Sequence, residues 1–112
     1  ENDINFFGFG EIYFSHIKYN LIKGWKKHLR MSMNLTVIKG NVKFVFFDSN
    51  KNFICEKIIG TDNYKIITVP PLIWFGFKGL SKQESILCNF SNILHDPDES
   101  EELKLNELKF DW

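Results

Sequence analysis

The chain has 112 residues, enough for one domain with a hydrophobic core, and its 14 basic and 14 acidic residues cancel in charge. This balance argues against nucleic acid as the main partner, because phosphate binding needs a clustered positive surplus. No stretch approaches the roughly 18 consecutive apolar residues of a transmembrane helix, and no signal peptide is recognisable, so we expect no membrane span. Cys55 and Cys88 lie far apart in apolar contexts, which predicts free thiols and a cytoplasmic location.

Strand and turn signals dominate the sequence, at the roughly 8–12-residue spacing typical of a sandwich or barrel. Predicted strands rich in β-branched and aromatic residues cover 11–19, 22–30, 32–38, 42–47, 53–59, 64–69, 73–77 and 85–90. The strand at 42–47 is apolar on both faces, so we expect it to be buried on both sides. Pro70 and Pro71 end one strand because proline lacks the N–H that a ladder needs.

The C-terminal tail differs in character from the strand region. Acidic residues cluster at 96–102, and the segment 100–108 predicts one or two helical turns anchored by Leu103 and Leu108. Because an exposed aromatic terminus is costly, we expect Trp112 to pack on the barrel or on a second subunit.

The second predicted strand carries the strongest candidates for chemistry. Strand alternation places Lys26 and His28 on one face, together with Arg30, whereas Lys23 falls on the opposite face. Histidine titrates near neutral pH and is the usual proton shuttle, and burial favours the neutral amine of a lysine, which is a base. His28 and Lys26 are therefore catalytic candidates. In the alternative interpretation both side chains simply reach solvent, with the stem of Lys26 lying along apolar surface.

Other polar and aromatic residues are candidates for substrate binding. Lys23 and Arg30 would bind phosphate, because anions need fixed cations; as surface charges they would instead prevent edge pairing. Asn34 and Asn89 lie in predicted strands, where asparagine is disfavoured, so each is expected to orient a ligand or to cap a bulge. Tyr64 would stack on a base or sugar, or pack in the core or a dimer interface.

Four segments in order resemble the dTDP-4-dehydrorhamnose 3,5-epimerase family of cupins: FGEIYFSHI at 9–17, GWKKHLRMSMNLTVIKG at 24–40, VPPLIWFGFKG at 69–79 and HDPDES…FDW at 95–112. The resemblance implies an all-β fold, the cupin double-stranded β-helix or jelly-roll barrel, with a short C-terminal helical turn. It also implies a single domain over 1–112, in which the N-terminal strands of the full family domain are missing or shortened. A homodimer with a nucleotide-sugar substrate, a thymidine-diphospho 4-keto sugar in the family, is expected on the same ground.

The resemblance to cupins also bears on metal binding. In a metal-binding cupin, a His-x-His pair, a Glu and a further His occupy the positions that hold Lys26, His28, Met33 and Phe75 here. A single imidazole does not hold a divalent ion against water. We therefore expect neither a metal nor another cofactor.

In the family, a histidine base removes protons beside the ketone, and a tyrosine returns a proton from the other face. Lys26 stands where the family's Arg-Gly-x-His pattern has its histidine, and His28 follows on the same face, as in a branch of the family with a Trp-x-x-His version. Leu94 and His95 replace the tyrosine pair expected before the turn at Asp96. His95 is the candidate to replace the lost tyrosine, if that turn folds it over the mouth of the barrel.

Two classes of function remain open from the sequence. The first is a metal-independent epimerase or isomerase that acts by proton transfer on an NDP-4-keto sugar in surface polysaccharide biosynthesis. The second is a catalytically inactive cupin that binds a sugar nucleotide or carbohydrate, or a structural partner of a glycan-assembly enzyme. A cavity reached by both Lys26 and His28 would favour the enzyme, whereas an interior filled by Met33, Phe75 and other aromatics would leave it no room.

Overall fold

The structure, a computed structural model, describes residues 8–112 and consists mainly of strands. In chain order these are β1 (Glu11–Ile17), β2 (Ile22–His28), β3 (Met33–Lys39), β4 (Asn41–Phe47), β5 (Phe53–Gly60), β6 (Ile66–Val69), β7 (Trp74–Gly79), β8 (Ser85–Ser91) and β9 (Ser100–Glu102). Two short 3₁₀ turns, Pro97–Glu99 and Leu105–Glu107, flank β9. Among residues 8–112, no helix has the length and hydropathy needed to cross a bilayer.

The strands form two antiparallel sheets. The four-stranded sheet has the order β1-β8-β3-β6, and the five-stranded sheet has the order β5-β4-β7-β2-β9. Neighbours in space are mostly distant in sequence, because the chain passes repeatedly from one sheet to the other. This is the jelly-roll arrangement of an all-β cupin, and the predicted fold class is confirmed.

The tail corrects one prediction. The segment predicted as helical turns begins instead with β9, which pairs with β2 so that Ser100 lies opposite His28 and Glu102 opposite Lys26. Without β9, β2 would be an edge strand with unpaired N–H and C=O groups. Pairing with β9 gives these groups hydrogen-bond partners. Within the segment predicted as helical, the 3₁₀ turn Leu105–Glu107 is helical.

The core has two parts, one on each side of the five-stranded sheet. The main cluster lies between the sheets and is aliphatic and aromatic; it includes Phe44 and Phe46 of β4. The second lies on the outer face and comprises Trp25, Val45, Phe47, Trp74 and Leu108, with the C-terminal tail packed over it. Burial of β4 on both faces, predicted from its apolar run, is therefore confirmed. Trp112 packs on Trp25 with ring centroids 5.5 Å apart, so its expected contact with the barrel is also confirmed.

Candidate active site

A bulge in β2 turns two lysines of that strand toward the interior. The register of β2 against β7 shifts between Lys23, which pairs with Phe77, and Lys26, which pairs with Phe75. Directly paired residues share a face of a sheet, and both phenylalanines contact the main core cluster. The alternation predicted from the sequence put Lys23 and Lys26 on opposite faces. That prediction is wrong, because the bulge adds a residue and brings both to the inner face.

A cavity of about 440 Å³ lies between the two sheets, and Lys26 and His28 both reach it. Two predicted substrate-binding residues, Lys23 and Asn89, also line it. The full lining comprises Tyr13, Ser15, Lys23, Gly24, Trp25, Lys26, His28, Leu35, Phe75, Gly76, Phe77, Leu87, Asn89, Glu102 and Leu103. Aromatic side chains therefore do not fill the interior, and the space needed for chemistry is present.

A buried carboxylate holds the ring of His28. Nδ1 of His28 donates to Oε1 of Glu99, and both side chains are almost fully buried. The second carboxylate oxygen of Glu99 accepts the backbone N–H groups of Arg30 and Met31, each at 3.1 Å. Glu99 is brought to this place by the 3₁₀ turn Pro97–Glu99 and by the pairing of β9 beside β2.

The electrostatics of this pair favour a neutral imidazole beside an ionised carboxylate. Burial lowers the pKa of His28 below its ordinary value; the hydrogen bond and charge of Glu99 oppose this shift, and the nearby Lys26 and His95 add to it. Burial alone would raise the pKa of Glu99, but the hydrogen bonds from His28 and from two backbone N–H groups outweigh it and lower the pKa. With Nδ1 protonated toward Glu99, Nε2 of His28 is the nitrogen free to accept a proton.

A second polar pair lies on the four-stranded sheet. Tyr13 and Asn89 are directly opposite in the β1–β8 register, and the Asn89 Nδ2 donates to the Tyr13 hydroxyl at 3.0 Å. Burial, and secondarily the charge of Glu11, raise the pKa of Tyr13. Within residues 8–112, Oδ1 of Asn89 is buried without a hydrogen-bond partner, a state that costs about 1–3 kcal/mol. Asn89 was predicted to bind substrate; in the structure its side-chain amide is hydrogen-bonded to Tyr13.

Two predicted residues, Arg30 and His95, lie near the cavity but do not line it. The Arg30 side chain is exposed and donates to Asp96 Oδ2 at 3.1 Å, so its link to the site is its backbone N–H. His95 is exposed, and its backbone N–H donates to Glu11 at 3.1 Å. His95 does not line the cavity, although it lies near enough to lower the pKa of His28, and its suggested catalytic part stays a prediction.

Asn34 and Tyr64 are farther from the cavity. Asn34 faces away from the interior, because the inner positions of β3 are Met33 and Leu35, and its Oδ1 accepts from Thr68 at 2.6 Å. Tyr64 lies in the loop between β5 and β6 with 66% of its surface exposed. Neither position supports the binding role predicted from the sequence.

Glu99 and Tyr13 were missed by the sequence reasoning. Tyr13 shares the inner face of β1 with Ser15 and the buried Ile17, so strand alternation contained a signal for it. Glu99 lies in an acidic segment with several equivalent carboxylates, and nothing in the local pattern distinguishes it.

Comparison with known proteins supports the predicted resemblance. No family model matches the chain. It is 24% identical over 99 residues to a probable low-salt glycan biosynthesis epimerase from Haloferax volcanii, covering 83% of this chain and 64% of that protein. The chain thus spans less than two thirds of the length of this curated relative.

Solved structures of sugar-nucleotide enzymes share the fold. A dTDP sugar isomerase from Desulfovibrio desulfuricans G20 superposes with a TM-score of 0.91 and 28% identity, covering 99% of this chain and 76% of that one. A dTDP-4-dehydrorhamnose 3,5-epimerase from Bacillus anthracis, with TDP and pyrophosphate bound, superposes with a TM-score of 0.80 and 20% identity over 94% of this chain and 66% of its own. These neighbours confirm the resemblance to dTDP-sugar isomerases and 3,5-epimerases.

Proposed function

We propose that this chain is a sugar-nucleotide epimerase or isomerase that moves protons beside the ketone of an NDP-4-keto sugar in surface polysaccharide biosynthesis. The observation that carries the proposal is the buried His28–Glu99 pair, in which His28 lines a cavity of about 440 Å³ that Lys23 and Lys26 also line. A neutral, oriented imidazole can act as the general base that removes a proton next to a carbonyl, and nearby cations can stabilise the enolate that forms.

The reaction would begin at Nε2 of His28. This nitrogen takes the proton from the carbon beside the ketone, and the electron pair moves to the carbonyl oxygen to form an enolate. Glu99 stabilises the imidazolium that results, because its carboxylate is hydrogen-bonded to Nδ1. Lys26 supplies positive charge for the enolate oxygen, and Lys23 supplies it for the diphosphate.

The relatives support the class of substrate. The curated relative is described as a glycan biosynthesis epimerase, and the solved neighbours include a dTDP sugar isomerase. The neighbour from B. anthracis holds TDP. We accordingly propose a thymidine-diphospho sugar first and a uridine-diphospho sugar second. A cytoplasmic location is proposed from the free thiols of Cys55 and Cys88.

Metal independence is part of the proposal, and it is supported by the donors present. The positions of the cupin ligands carry Lys26, Met33 and Phe75 beside His28, and Phe75 stacks on the imidazole with ring centroids 6.0 Å apart. Glu99 is engaged by His28 and two backbone N–H groups. This donor set does not suit a divalent ion.

We also propose that the chain forms a homodimer through the outer face of the four-stranded sheet. That face carries large apolar side chains beside three polar ones, Asn34, Thr36 and Thr68, in its β3–β6 part. Four apolar side chains on this face or just before β1 are about half exposed or more: Phe9, Ile12, Phe14 and Ile66. Exposed apolar surface of this extent is typical of an interface.

Binding without turnover is the second candidate function. It is favoured by the replacements at Lys26 and Phe75, which remove histidines that the family patterns contain. The two functions differ in one observable, exchange of carbon-bound hydrogen with solvent.

The deciding experiment incubates the protein with a panel of dTDP- and UDP-4-keto sugars in deuterated water and follows deuterium at the carbons beside the ketone by NMR. We expect incorporation with wild type and a loss of about 100-fold or more for His28→Asn. His16→Asn is the matched control, because His16 is exposed, lies outside the cavity and is bonded to Glu84; since it lies on the proposed dimer face, sedimentation of this variant is compared with that of wild type. Binding of a sugar nucleotide without exchange by wild type would establish the second function instead.

A further inference from the structure

We propose that Tyr13 is the proton donor that completes the reaction begun by His28, and that Asn89 is its positioning residue. This inference rests on the proposed function and assigns the acid that the sequence pattern leaves vacant. The residues at the family's tyrosine positions, Leu94 and His95, do not line the cavity. Of the described residues that do line it, Tyr13 is the one with a phenol.

Tyr13 and His28 occupy opposite walls of the same cavity. Tyr13 belongs to β1 in the four-stranded sheet, and His28 belongs to β2 in the five-stranded sheet. A flat enolate held between the sheets would therefore have the imidazole toward one face and the phenol toward the other. This is the arrangement required when a proton is removed from one face of a carbon and returned to the other.

The hydrogen bond from Asn89 prepares the phenol for donation. Because Nδ2 of Asn89 donates to the Tyr13 oxygen, the hydroxyl hydrogen of Tyr13 is not used in this bond. Nδ2 also lies 3.3 Å from the Met33 sulfur, and Oδ1 stays buried and unpaired within residues 8–112. The Asn89 side chain is therefore oriented with Nδ2 toward the Tyr13 hydroxyl, although this leaves Oδ1 without a hydrogen-bond partner among the described residues.

The same hydrogen bond stabilises the phenolate that donation produces. A phenol at its ordinary pKa of 10.0 is protonated at neutral pH; burial raises the pKa of Tyr13 further, and the Asn89 bond acts in the opposite direction. In the step itself, the O–H bond of Tyr13 breaks and a C–H bond forms, while the enolate electron pair moves to carbon and the carbonyl is restored. The phenolate then regains a proton from solvent, and the His28 imidazolium loses one to solvent, so protons and charge balance.

The test separates the donor from the base. Tyr13→Phe is expected to lower product formation by about 100-fold or more, whereas deuterium exchange into recovered substrate stays within about threefold of wild type because His28 is intact. Tyr19→Phe is the matched control, since Tyr19 is exposed and does not line the cavity. Product formation by Tyr13→Phe at the wild-type rate would overturn the inference while leaving the proposed function standing. No exchange by wild type with any sugar would overturn both.

Asn89→Leu tests the positioning role through a pH profile. Because the bond from Asn89 lowers the pKa of Tyr13, its loss should raise that pKa and move the basic limb of the product-formation profile to higher pH. A purely structural role would lower activity without moving the limb, and that result would overturn the assignment of Asn89. Thermal unfolding of each variant shows that the folded protein is being compared.

Discussion

Replacing Glu99 by glutamine should disable His28 while leaving it in place. Glutamine has nearly the same volume, so the two backbone N–H groups of Arg30 and Met31 can still be accepted by its carbonyl oxygen. Its NH₂ group then faces Nδ1 of His28, which must become the acceptor. The imidazole is driven into the tautomer with hydrogen on Nε2, the nitrogen that should receive the substrate proton.

The magnitude for catalysis follows from the role of the base. Positioned general bases contribute roughly 10²–10⁴-fold to rate, so Glu99→Gln should slow deuterium exchange beside the ketone by a factor in that range. The variant should also lose stability, because hydrogen bonds to a charged group become bonds to a neutral one. For the bonds to His28, Arg30 and Met31 together we expect about 1–3 kcal/mol.

The stability difference should depend on pH in a defined direction. The folded-state pKa of Glu99 is lowered from its ordinary value of 4.5, so the unfolded chain binds the proton first as the pH falls. The contribution of Glu99 is therefore present above pH 4.5 and is lost as the pH falls below it through the folded-state value. The gap in unfolding free energy between wild type and Glu99→Gln should be present at neutral pH and narrow as the pH falls below about 4.5, where Glu99 becomes protonated.

Urea unfolding at several pH values and exchange rates by NMR measure both effects. Glu101→Gln is the matched control, because Glu101 is half exposed and pairs with Lys27 at 3.0 Å. Its removal should cost about 1 kcal/mol at most and leave exchange unchanged. Equal exchange rates in wild type and Glu99→Gln would refute the reasoning about the tautomer, and equal stability in the two glutamine variants would refute the role given to burial.

Two further predictions concern the dimer and the cations. Phe14→Asp places a charge on the exposed apolar face and should give a monomer by sedimentation equilibrium; a dimer that persists would exclude that face as the interface. Lys23→Ala should weaken binding of dTDP in calorimetry, by about 1–3 kcal/mol, and reduce its salt dependence, whereas Lys26→Ala should slow exchange beside the ketone and change dTDP affinity much less, because Lys26 is assigned to the enolate oxygen. Lys57→Ala, outside this cavity, should have no effect, and equal affinities in all three variants would argue against the cationic site.

The positions of β1 to β8 could be predicted because their signal is local. Alternating or continuous apolar residues bounded by turn residues mark each strand, and the observed bounds differ from the predicted ones by a few residues at the ends. β9 could not be predicted in this way, since its residues Ser100–Glu102 are polar. It forms because β2 would otherwise present an unpaired edge.

The residues of the candidate site also fall into those that local sequence could predict and those that depend on long-range contacts. His28 and Lys26 were found because they lie on one strand next to a recognisable pattern. Glu99 is 71 residues from His28 in the chain, and no spacing rule connects them. The side of β2 on which Lys23 lies depends on a bulge, which strand alternation alone does not reveal.

The amino-acid sequence by itself determined β1 to β8 and the strand that carries the histidine, because residues a few positions apart specify backbone conformation and the buried face. The jelly-roll class was predicted from the resemblance of four segments to a known family. Only the tertiary structure decided which carboxylate orients that histidine and which side chain faces it across the cavity. Those contacts depend on strand register, on one bulge and on the packing of two sheets, and each of these brings together residues that are far apart along the chain.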